Sequence, residues 1–277
     1  MSESKSSSLG TILVTGGDGM VGSYIDFGER LNKSALDVTN LAAVHEQVQK
    51  IKPDVIVHLA AIVDPALCER EPASAYMVNT VGAYNVALAA RAAGAKLLYV
   101  STSGVFDGTK TGSYTEEDTP NPLNVYGHSK YLGELAVRGM LKDSLVVRTS
   151  WIFGGGKEKD KKFVGKMLLQ RDAIEVRAVT DRRGSPTYAK DLAAALKKLI
   201  EEGRQGIVHM GGGDATRFEL ASEVFALAGS HTKVLPALSS DFPSAYTTGE
   251  NESMPLSPLM RPWKEALKEY IETEWKE

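Results

Sequence analysis

Three side chains near the middle of the chain have the types that proton transfer to a carbonyl requires. Tyr126 and Lys130 form a Tyr-x-x-x-Lys pair, and four residues apart on a helix they share one face. Thr102 lies in the run 101–103, which follows a predicted strand. A free tyrosine, with a pKa of about 10, is a poor acid at neutral pH, but an adjacent ammonium lowers that pKa. We expect Lys130 to supply this field and Thr102 to hold a substrate carbonyl by a hydrogen bond.

The placement of these residues carries more weight than their spacing, because chance alone supplies a Tyr-x-x-x-Lys pair in a chain of this composition. A helix is predicted from Tyr126 towards Met140, and the next strand begins near Ser144. Thr102 and Tyr126 then lie at the carboxyl ends of strands, where open α/β sheets build their sites. The alternative is that Tyr126 and Lys130 are ordinary surface residues and that Thr102 only ends a strand.

A glycine turn follows the first predicted strand. It reads Gly16-x-x-Gly19-x-x-Gly22, and the strand before it covers residues 11–15. Such glycines let the backbone turn sharply from a strand into a helix and approach a pyrophosphate, which meets free N–H groups at the helix start. The turn therefore predicts a bound dinucleotide, and the alternative is an ordinary glycine-rich turn.

The segment after the glycine turn is compressed. Asp37 follows Gly22 too closely for a full helix and a second strand to fit between them. Within this segment Arg30 and Lys33 could reach the 2′-phosphate of NADPH, whereas Asp26 could accept a hydrogen bond from the ribose of NADH. The choice between NADPH and NADH stays open at this point.

The alternation of strands and helices predicts the fold class. It is α/β, a doubly wound parallel sheet of Rossmann type with a small C-terminal substrate-binding lobe. We expect a flexible tail at 1–10, a dinucleotide-binding domain at 11–150 to which 187–210 returns, and the substrate lobe at 151–186 and 211–277. A last helix is predicted near Pro262. The predicted strands cover residues 11–15, 54–59, 96–101, 144–148, 174–179 and 207–210.

Composition and charge exclude several classes of partner. The chain has 32 Lys and Arg against 35 Asp and Glu, a net charge of −3, which predicts neither nucleic acid nor an anionic membrane as a partner. The single cysteine, Cys68, fits a reduced cytoplasm. The uncharged run 72–90 has the length of a membrane span, but its polar residues favour a buried helix. The 5 histidines lack metal-ligand spacing, so no metal is expected.

Together these residues resemble the extended short-chain dehydrogenase/reductases. The resemblance rests on the glycine turn, Asp37-Val38, Leu59-Ala60-Ala61, Asn79, Ser101-Thr102 and the Tyr126/Lys130 pair. Longer runs are similar to the dTDP-4-dehydrorhamnose reductase family, and they stand in the same order along the chain from about Thr11 to Gly229. These runs are Val105-Phe106-Asp107-Gly108, the segment 121–127, Arg148-Thr149-Ser150-Trp151 and Gly184-Ser185-Pro186-Thr187.

The resemblance implies NAD(P)H-dependent reduction of a 4-keto sugar nucleotide, with NADPH or NADH as the cofactor and Thr102, Tyr126 and Lys130 as catalytic residues. Thr102, Ser103 and Trp151 would face the substrate, although Trp151 could instead be a core aromatic. The resemblance is also compatible with a homodimer. The implied cofactor-binding residues are Gly16, Gly19, Met20, Val21, Gly22, Asp37, Val38, Leu59, Ala60, Ala61, Asn79, Tyr126 and Lys130.

Two rival functions use the same scaffold. One is a sugar-nucleotide epimerase or another reductase. The other is a non-catalytic dinucleotide-binding regulatory subunit, similar to the methionine adenosyltransferase beta subunit. The complete Thr102, Tyr126 and Lys130 set favours an enzyme over the regulatory subunit.

The chain departs from the family pattern in two places. Ser103-Gly104 stands where the reductases usually have Asp-Tyr, which predicts a wider and less polar wall beside the sugar. The family's Arg-Pro region near the C-terminus appears here as the segment 249–253, so a basic contact to the nucleotide diphosphate is expected to be missing. Arg182 and Arg183 are alternative contacts for a phosphate.

Overall fold

The computed structural model describes residues 9–275, so residues 1–8 of the predicted tail lie outside the described part of the chain. The strands are β1 Ile12–Thr15, β2 Glu29–Leu31, β3 Val55–His58, β4 Lys96–Thr102, β5 Leu145–Thr149, β6 Ile152–Phe153, β7 Glu175–Val179, β8 Arg183–Gly184, β9 Thr187–Tyr188, β10 Gly206–Met210, β11 Ala215–Thr216 and β12 Lys233–Ala237.

The helices alternate with these strands as the sequence predicts. A π-helical segment, Met77–Val81, joins two of them, so the uncharged run lies in one continuous helix. The α-helices are α1 Leu41–Ile51, α2 Pro65–Arg70, α3 Pro72–Tyr76, α4 Gly82–Ala93, α5 Val125–Met140, α6 Gly156–Lys159, α7 Phe163–Leu168, α8 Ala189–Glu201, α9 Arg217–Leu227 and α10 Trp263–Glu274.

The central sheet has six parallel strands in the order β10-β5-β4-β3-β1-β2. From β1 the chain moves first to β2 on one side and then to β3 on the other. Such a reversal opens a crevice at the carboxyl ends of the two diverging strands, which is where doubly wound sheets bind their ligands. The predicted fold class is confirmed.

Helices cover both faces of the sheet. On one face α1, α4 and α5 bury apolar residues such as Leu13, Ile56 and Leu97. On the other face α8 packs Leu192 and Leu196 against the sheet. Because helices cover both faces of the sheet, the central strands are apolar on both sides, which explains their continuous apolar runs in the sequence.

The segment after the glycine turn is compressed, as the spacing of Gly22 and Asp37 predicts. In place of a full helix, the chain makes a single 3₁₀ turn at Gly22–Tyr24 before it enters β2. Val21, Ile25 and Phe27 are buried against the sheet face on which α8 also packs. The helix expected after the glycine turn is thus reduced to this one turn, because the crossover to β2 is too short for more.

The C-terminal residues build a second apolar core around small strand pairs, in which β7 pairs in parallel with β12. Helix α10 begins at Trp263, next to the predicted Pro262. It buries Trp263, Ala266, Leu267, Tyr270 and Ile271, which form one apolar face. Across residues 9–275, no helix is long and apolar enough to cross a membrane.

Candidate active site

Strand β4 and helix α5 bring Thr102 and Tyr126 together. Thr102 is the last residue of β4, and its Oγ1 accepts a hydrogen bond from the Gly104 N–H at 3.1 Å. Asn124 caps α5 by accepting from the Gly127 N–H at 2.8 Å, which fixes Tyr126 in the first turn of the helix. A hydrogen bond from Thr102 lowers the pKa of Tyr126. The two hydroxyls are thus adjacent at the carboxyl end of the sheet.

Burial of the phenol has a larger effect on Tyr126 than any neighbour. It raises the pKa of Tyr126 to about 12, and the Thr102 hydrogen bond only partly opposes this rise. The expectation that Lys130 brings this pKa below its ordinary value was therefore wrong, because burial of the phenol dominates the shift. A raised pKa keeps the phenol protonated at neutral pH, which is the form that can donate a proton to a carbonyl oxygen.

The surroundings of Lys130 explain the weak influence of its charge. Its side chain is buried, its Nζ donates a hydrogen bond to the Val100 carbonyl at 2.8 Å, and the Nζ lies 4.1 Å from the centre of the Tyr99 ring. Burial lowers the pKa of Lys130 to about 7, against the opposing charge of Glu134. The ammonium is thus only partly populated near neutral pH, so it cannot hold a strong field on the phenol.

The glycine turn, residues 16–22, packs beside the loop after β3, residues 59–61, at the point where the strand order reverses; we call this region the glycine crevice. Gly16 has a φ of 70°, and a Cβ on it would lie 2.8 Å from the Ala60 nitrogen, so only glycine allows this contact. Gly19 is exposed, and the space above it is open, since an added Cβ would approach only the Gly16 carbonyl, at 3.2 Å. This open backbone surface fits a pyrophosphate.

The two groups of residues expected to choose the cofactor lie in different places. Arg30 donates to the Gly22 carbonyl at 3.0 Å and so stays beside the glycine crevice. Asp26 instead pairs with Lys197 of α8 at 3.4 Å. Asp37 is exposed, and hydrogen bonds from Thr39 lower its pKa.

Asn79 is buried, and its side-chain amide makes hydrogen bonds within the protein. It accepts from the Ile62 N–H at 2.8 Å and donates to the Ile62 carbonyl at 3.0 Å and to Ser129 Oγ at 2.9 Å. Asn79 therefore ties the loop after β3 to helix α5. The predicted contact of Asn79 with the cofactor stays a prediction.

The indole of Trp151 borders the C-terminal core and is partly exposed. Its backbone has a φ of 40°, an unusual conformation for a bulky residue. Gly184 packs against the ring so closely that a Cβ there would lie 2.1 Å from Trp151 Cε2. The guanidinium of Arg217 stacks on the other part of the ring, 3.4 Å from its centre.

A carboxylate from a distant segment lies beside Ser103. Ser103 Oγ is 2.9 Å from Ser150 Oγ and 3.3 Å from Glu252 Oε2. Burial raises the pKa of Glu252, while the charge of Arg217 and hydrogen bonds from Ser103 and Trp151 oppose the rise. The expectation of a less polar wall was therefore wrong, since Glu252 supplies a carboxylate next to residue 103. We call Ser103, Trp151, Arg217 and Glu252 the candidate substrate pocket.

Arg217 and Glu252 were missed by reasoning from the sequence. Glu252 is 149 residues from Ser103, and no local pattern marks such a contact. Arg217 does carry a signal, because it is the first residue of α9, where the helix dipole disfavours a cation. Arg182, considered earlier for a phosphate, donates to the Thr248 carbonyl at 2.7 Å, and its charge lowers the pKa of Glu252.

Two of the histidines are buried in packing roles. His58 stacks on Tyr99 and shares a hydrogen bond of 2.7 Å with Thr15, and burial lowers its pKa to about 3. His209 lies 3.1 Å from the Tyr114 carbonyl. Within residues 9–275, no three His, Cys, Asp or Glu side chains are grouped to hold a metal ion, and the absence of a metal stays a prediction.

Comparison with known proteins agrees with this arrangement. Residues 10–275 match the RmlD substrate binding domain family. The chain belongs to this family. It is 34% identical to the spore coat polysaccharide biosynthesis protein SpsK of Bacillus subtilis, over 94% of this chain and 96% of that protein. It is 35% identical to dTDP-4-dehydrorhamnose reductase of Mycobacterium tuberculosis, over 92% and 90% of the two chains.

Solved structures of this family superpose closely. A dTDP-4-dehydrorhamnose reductase from Clostridium acetobutylicum matches with a TM-score of 0.91 and 32% identity, over 96% of this chain and all of that one (100%). The Bacillus anthracis enzyme, solved in complex with NADP, matches with a TM-score of 0.90 and 34% identity, over 95% and 99%. The resemblance inferred from the motifs is confirmed.

Proposed function

We propose that this protein is an NAD(P)H-dependent reductase of a 4-keto sugar nucleotide, with dTDP-4-dehydrorhamnose as the expected substrate. The observation that carries the proposal is the pairing of Thr102 with a protonated Tyr126 at the carboxyl end of β4. Membership of the RmlD substrate binding domain family, whose relatives include named dTDP-4-dehydrorhamnose reductases, supports the same reaction.

The catalytic residues divide the work at the carbonyl. Thr102 donates a hydrogen bond that orients the substrate carbonyl oxygen, and Tyr126 Oη gives that oxygen its proton. A bound nicotinamide supplies the hydride to the carbonyl carbon. Lys130, one turn further along α5, stabilises the resulting phenolate by its charge when it is protonated.

The glycine crevice would hold the dinucleotide through Gly16, Gly19, Met20, Val21 and Gly22 on one side. Leu59, Ala60 and Ala61 would line the other side, with Asp37 and Val38 towards the adenosine. Because Arg30 stays beside this crevice and Asp26 does not, we favour NADPH over NADH. The B. anthracis relative with NADP supports the same preference.

We also propose how the chain divides into domains. Residues 151–186 and 211–277 would form the substrate-binding lobe, and 187–210 would belong to the dinucleotide-binding domain, in whose sheet β10 pairs with β5. Trp151 and Ser103 would contact the sugar. A homodimer and a cytoplasmic location stay predictions.

The function is tested by following deuterium from cofactor to product. Protein is incubated with NADPH deuterated at the transferable position and with dTDP-4-dehydrorhamnose, and the sugar is analysed by mass spectrometry and NMR. We expect one deuterium at C4 and one NADPH consumed for each sugar reduced. An epimerase would leave the NADPH pool unconsumed, and a regulatory subunit would bind dinucleotide without any product, so either result would reject the proposal.

A further inference from the structure

The guanidinium of Arg217 is held between two aromatic rings. It lies 3.4 Å from the centre of Trp151 and 4.7 Å from the centre of Phe163. Across residues 9–275, no side chain or carbonyl pairs with this guanidinium by a hydrogen bond or an ion pair. Arginine carries five N–H donors, and those of Arg217 are not committed to a partner in this part of the chain. They are therefore available to an acceptor from outside the chain.

The electrostatic surroundings of Arg217 favour an anion as that acceptor. Burial lowers the pKa of Arg217 to about 10, so the group stays charged at neutral pH. The charge of Arg217 also lowers the pKa of Lys162, and the charge of Arg182 acts on the same Glu252. Arg217 and Arg182 thus both act on one carboxylate, that of Glu252, and the net positive charge would be balanced by an anion.

The position of Arg217 in α9 also indicates a role in binding an anion. As the first helical residue it places a positive charge at the positive end of the helix dipole, which costs stability. A capping box from Thr216 and Glu219 already satisfies the backbone at this end, so Arg217 has no capping role. A cation at this position breaks a local rule, and such departures are typical of functional sites.

Contacts connect Arg217 to the catalytic residues. Ser103 follows Thr102 directly and lies 3.3 Å from Glu252. Glu252 interacts in turn with Trp151, on whose ring Arg217 stacks, and its charge raises the pKa of Tyr126. A sugar bound at Thr102 and Tyr126 would therefore lie near the contacts that lead through Ser103, Glu252 and Trp151 to Arg217.

We propose that Arg217 is the anion-binding residue of the candidate substrate pocket and takes the diphosphate of the sugar nucleotide. This inference rests on the proposed function for the identity of the substrate. A planar guanidinium binds phosphate oxygens in a bidentate manner, and stacking on two rings holds it in place before the ligand arrives. Arg217 thus replaces, from another element, the basic contact that the segment 249–253 lacks.

The test is calorimetric binding of dTDP and of thymidine to protein saturated with NADP⁺, so that neither probe can enter the glycine crevice. Arg217→Gln should weaken dTDP binding by about 10- to 100-fold, the loss expected for a charge-assisted hydrogen-bond pair. Thymidine binding should stay unchanged, because it has no phosphate. Arg217→Lys should give an intermediate affinity, since it keeps the charge and loses the bidentate geometry.

Arg177→Gln is the matched control. Arg177 also lies over an aromatic ring, 5.6 Å from Phe242, but it already pairs with Asp241. Its substitution should leave dTDP affinity unchanged, and urea unfolding of each variant checks that the fold is retained.

Three results would overturn the inference. The first is dTDP binding by Arg217→Gln within about twofold of wild type. The second is an equal loss of thymidine binding, which would mean a packing role. The third is restored affinity in the double variant with Glu252→Gln, which would mean that Arg217 only neutralises Glu252. Because binding is measured without turnover, failure of the reductase proposal would be seen separately in the deuterium experiment.

Discussion

Lys130 makes the stability of the cofactor-free protein depend on pH in a way that a single substitution can isolate. Its pKa falls from 10.5 in the unfolded chain to about 7 in the folded protein because the amine is buried. Between these values the unfolded chain binds more protons, so the free energy of unfolding rises with pH. Lys130→Met removes the titrating group while keeping a side chain of similar length.

The size of the effect follows from the shift in pKa. The cost of burying Lys130 is fully present below the folded pKa and disappears above 10.5. At about 1.4 kcal/mol per pKa unit, raising the pH from about 7 to about 9 lowers this cost by roughly 2 kcal/mol. Lys130→Met should therefore be more stable than wild type at the lower pH, and its advantage should shrink by that amount at the higher pH.

Urea unfolding of both proteins, followed by circular dichroism across this pH range, measures the difference directly. Titrating groups that do not interact with Lys130 cancel between the two proteins. Lys197→Met is the control, because Lys197 is a surface lysine paired with Asp26 and should show no such trend. A stability difference between wild type and Lys130→Met that does not change with pH would refute the buried, partly neutral lysine.

Two further variants test the framework of the site. Gly19→Val should fold, because an added Cβ meets only the Gly16 carbonyl, at 3.2 Å. It should weaken NADPH binding by at least about tenfold, since the new side chain fills the backbone surface on which the pyrophosphate would lie. Wild-type affinity in a fluorescence titration would mean that the phosphates bind elsewhere. Glu134→Leu leaves Arg148, its buried partner at 2.8 Å, without a counter-charge and should cost about 3–5 kcal/mol in urea unfolding; a cost below about 1 kcal/mol would show that Arg148 finds other partners.

Local patterns were enough to predict the elements that carry the reaction. The apolar runs predicted five of the six strands of the central sheet and missed the short β2, and the last helix was predicted near its observed start at Trp263. The strand-end position of Thr102 and the helix after Tyr126 were predicted from the same kind of signal. These features depend on periodicity, which the order of residues contains directly.

Features set by distant contacts could not be predicted in this way. Glu252 reaches Ser103 across 149 positions, so the residue type at 103 alone gave a wrong picture of the pocket wall. The pKa of Tyr126 depends on how deeply the phenol and Lys130 are buried, and their spacing carries no information on that depth. For the segment at Gly22–Tyr24 the sequence predicted only that it is short. Its shape as a turn follows from packing against the sheet.

The central claim is that Tyr126 donates the proton that completes carbonyl reduction. Its most direct test is the kcat/KM of Tyr126→Phe for dTDP-4-dehydrorhamnose, measured by NADPH oxidation with the Kd for NADPH determined in parallel. Phenylalanine keeps the ring and removes the proton, so kcat/KM should fall by at least about 10²-fold while the Kd for NADPH stays near wild type. Turnover near the wild-type rate in the folded variant would contradict the account.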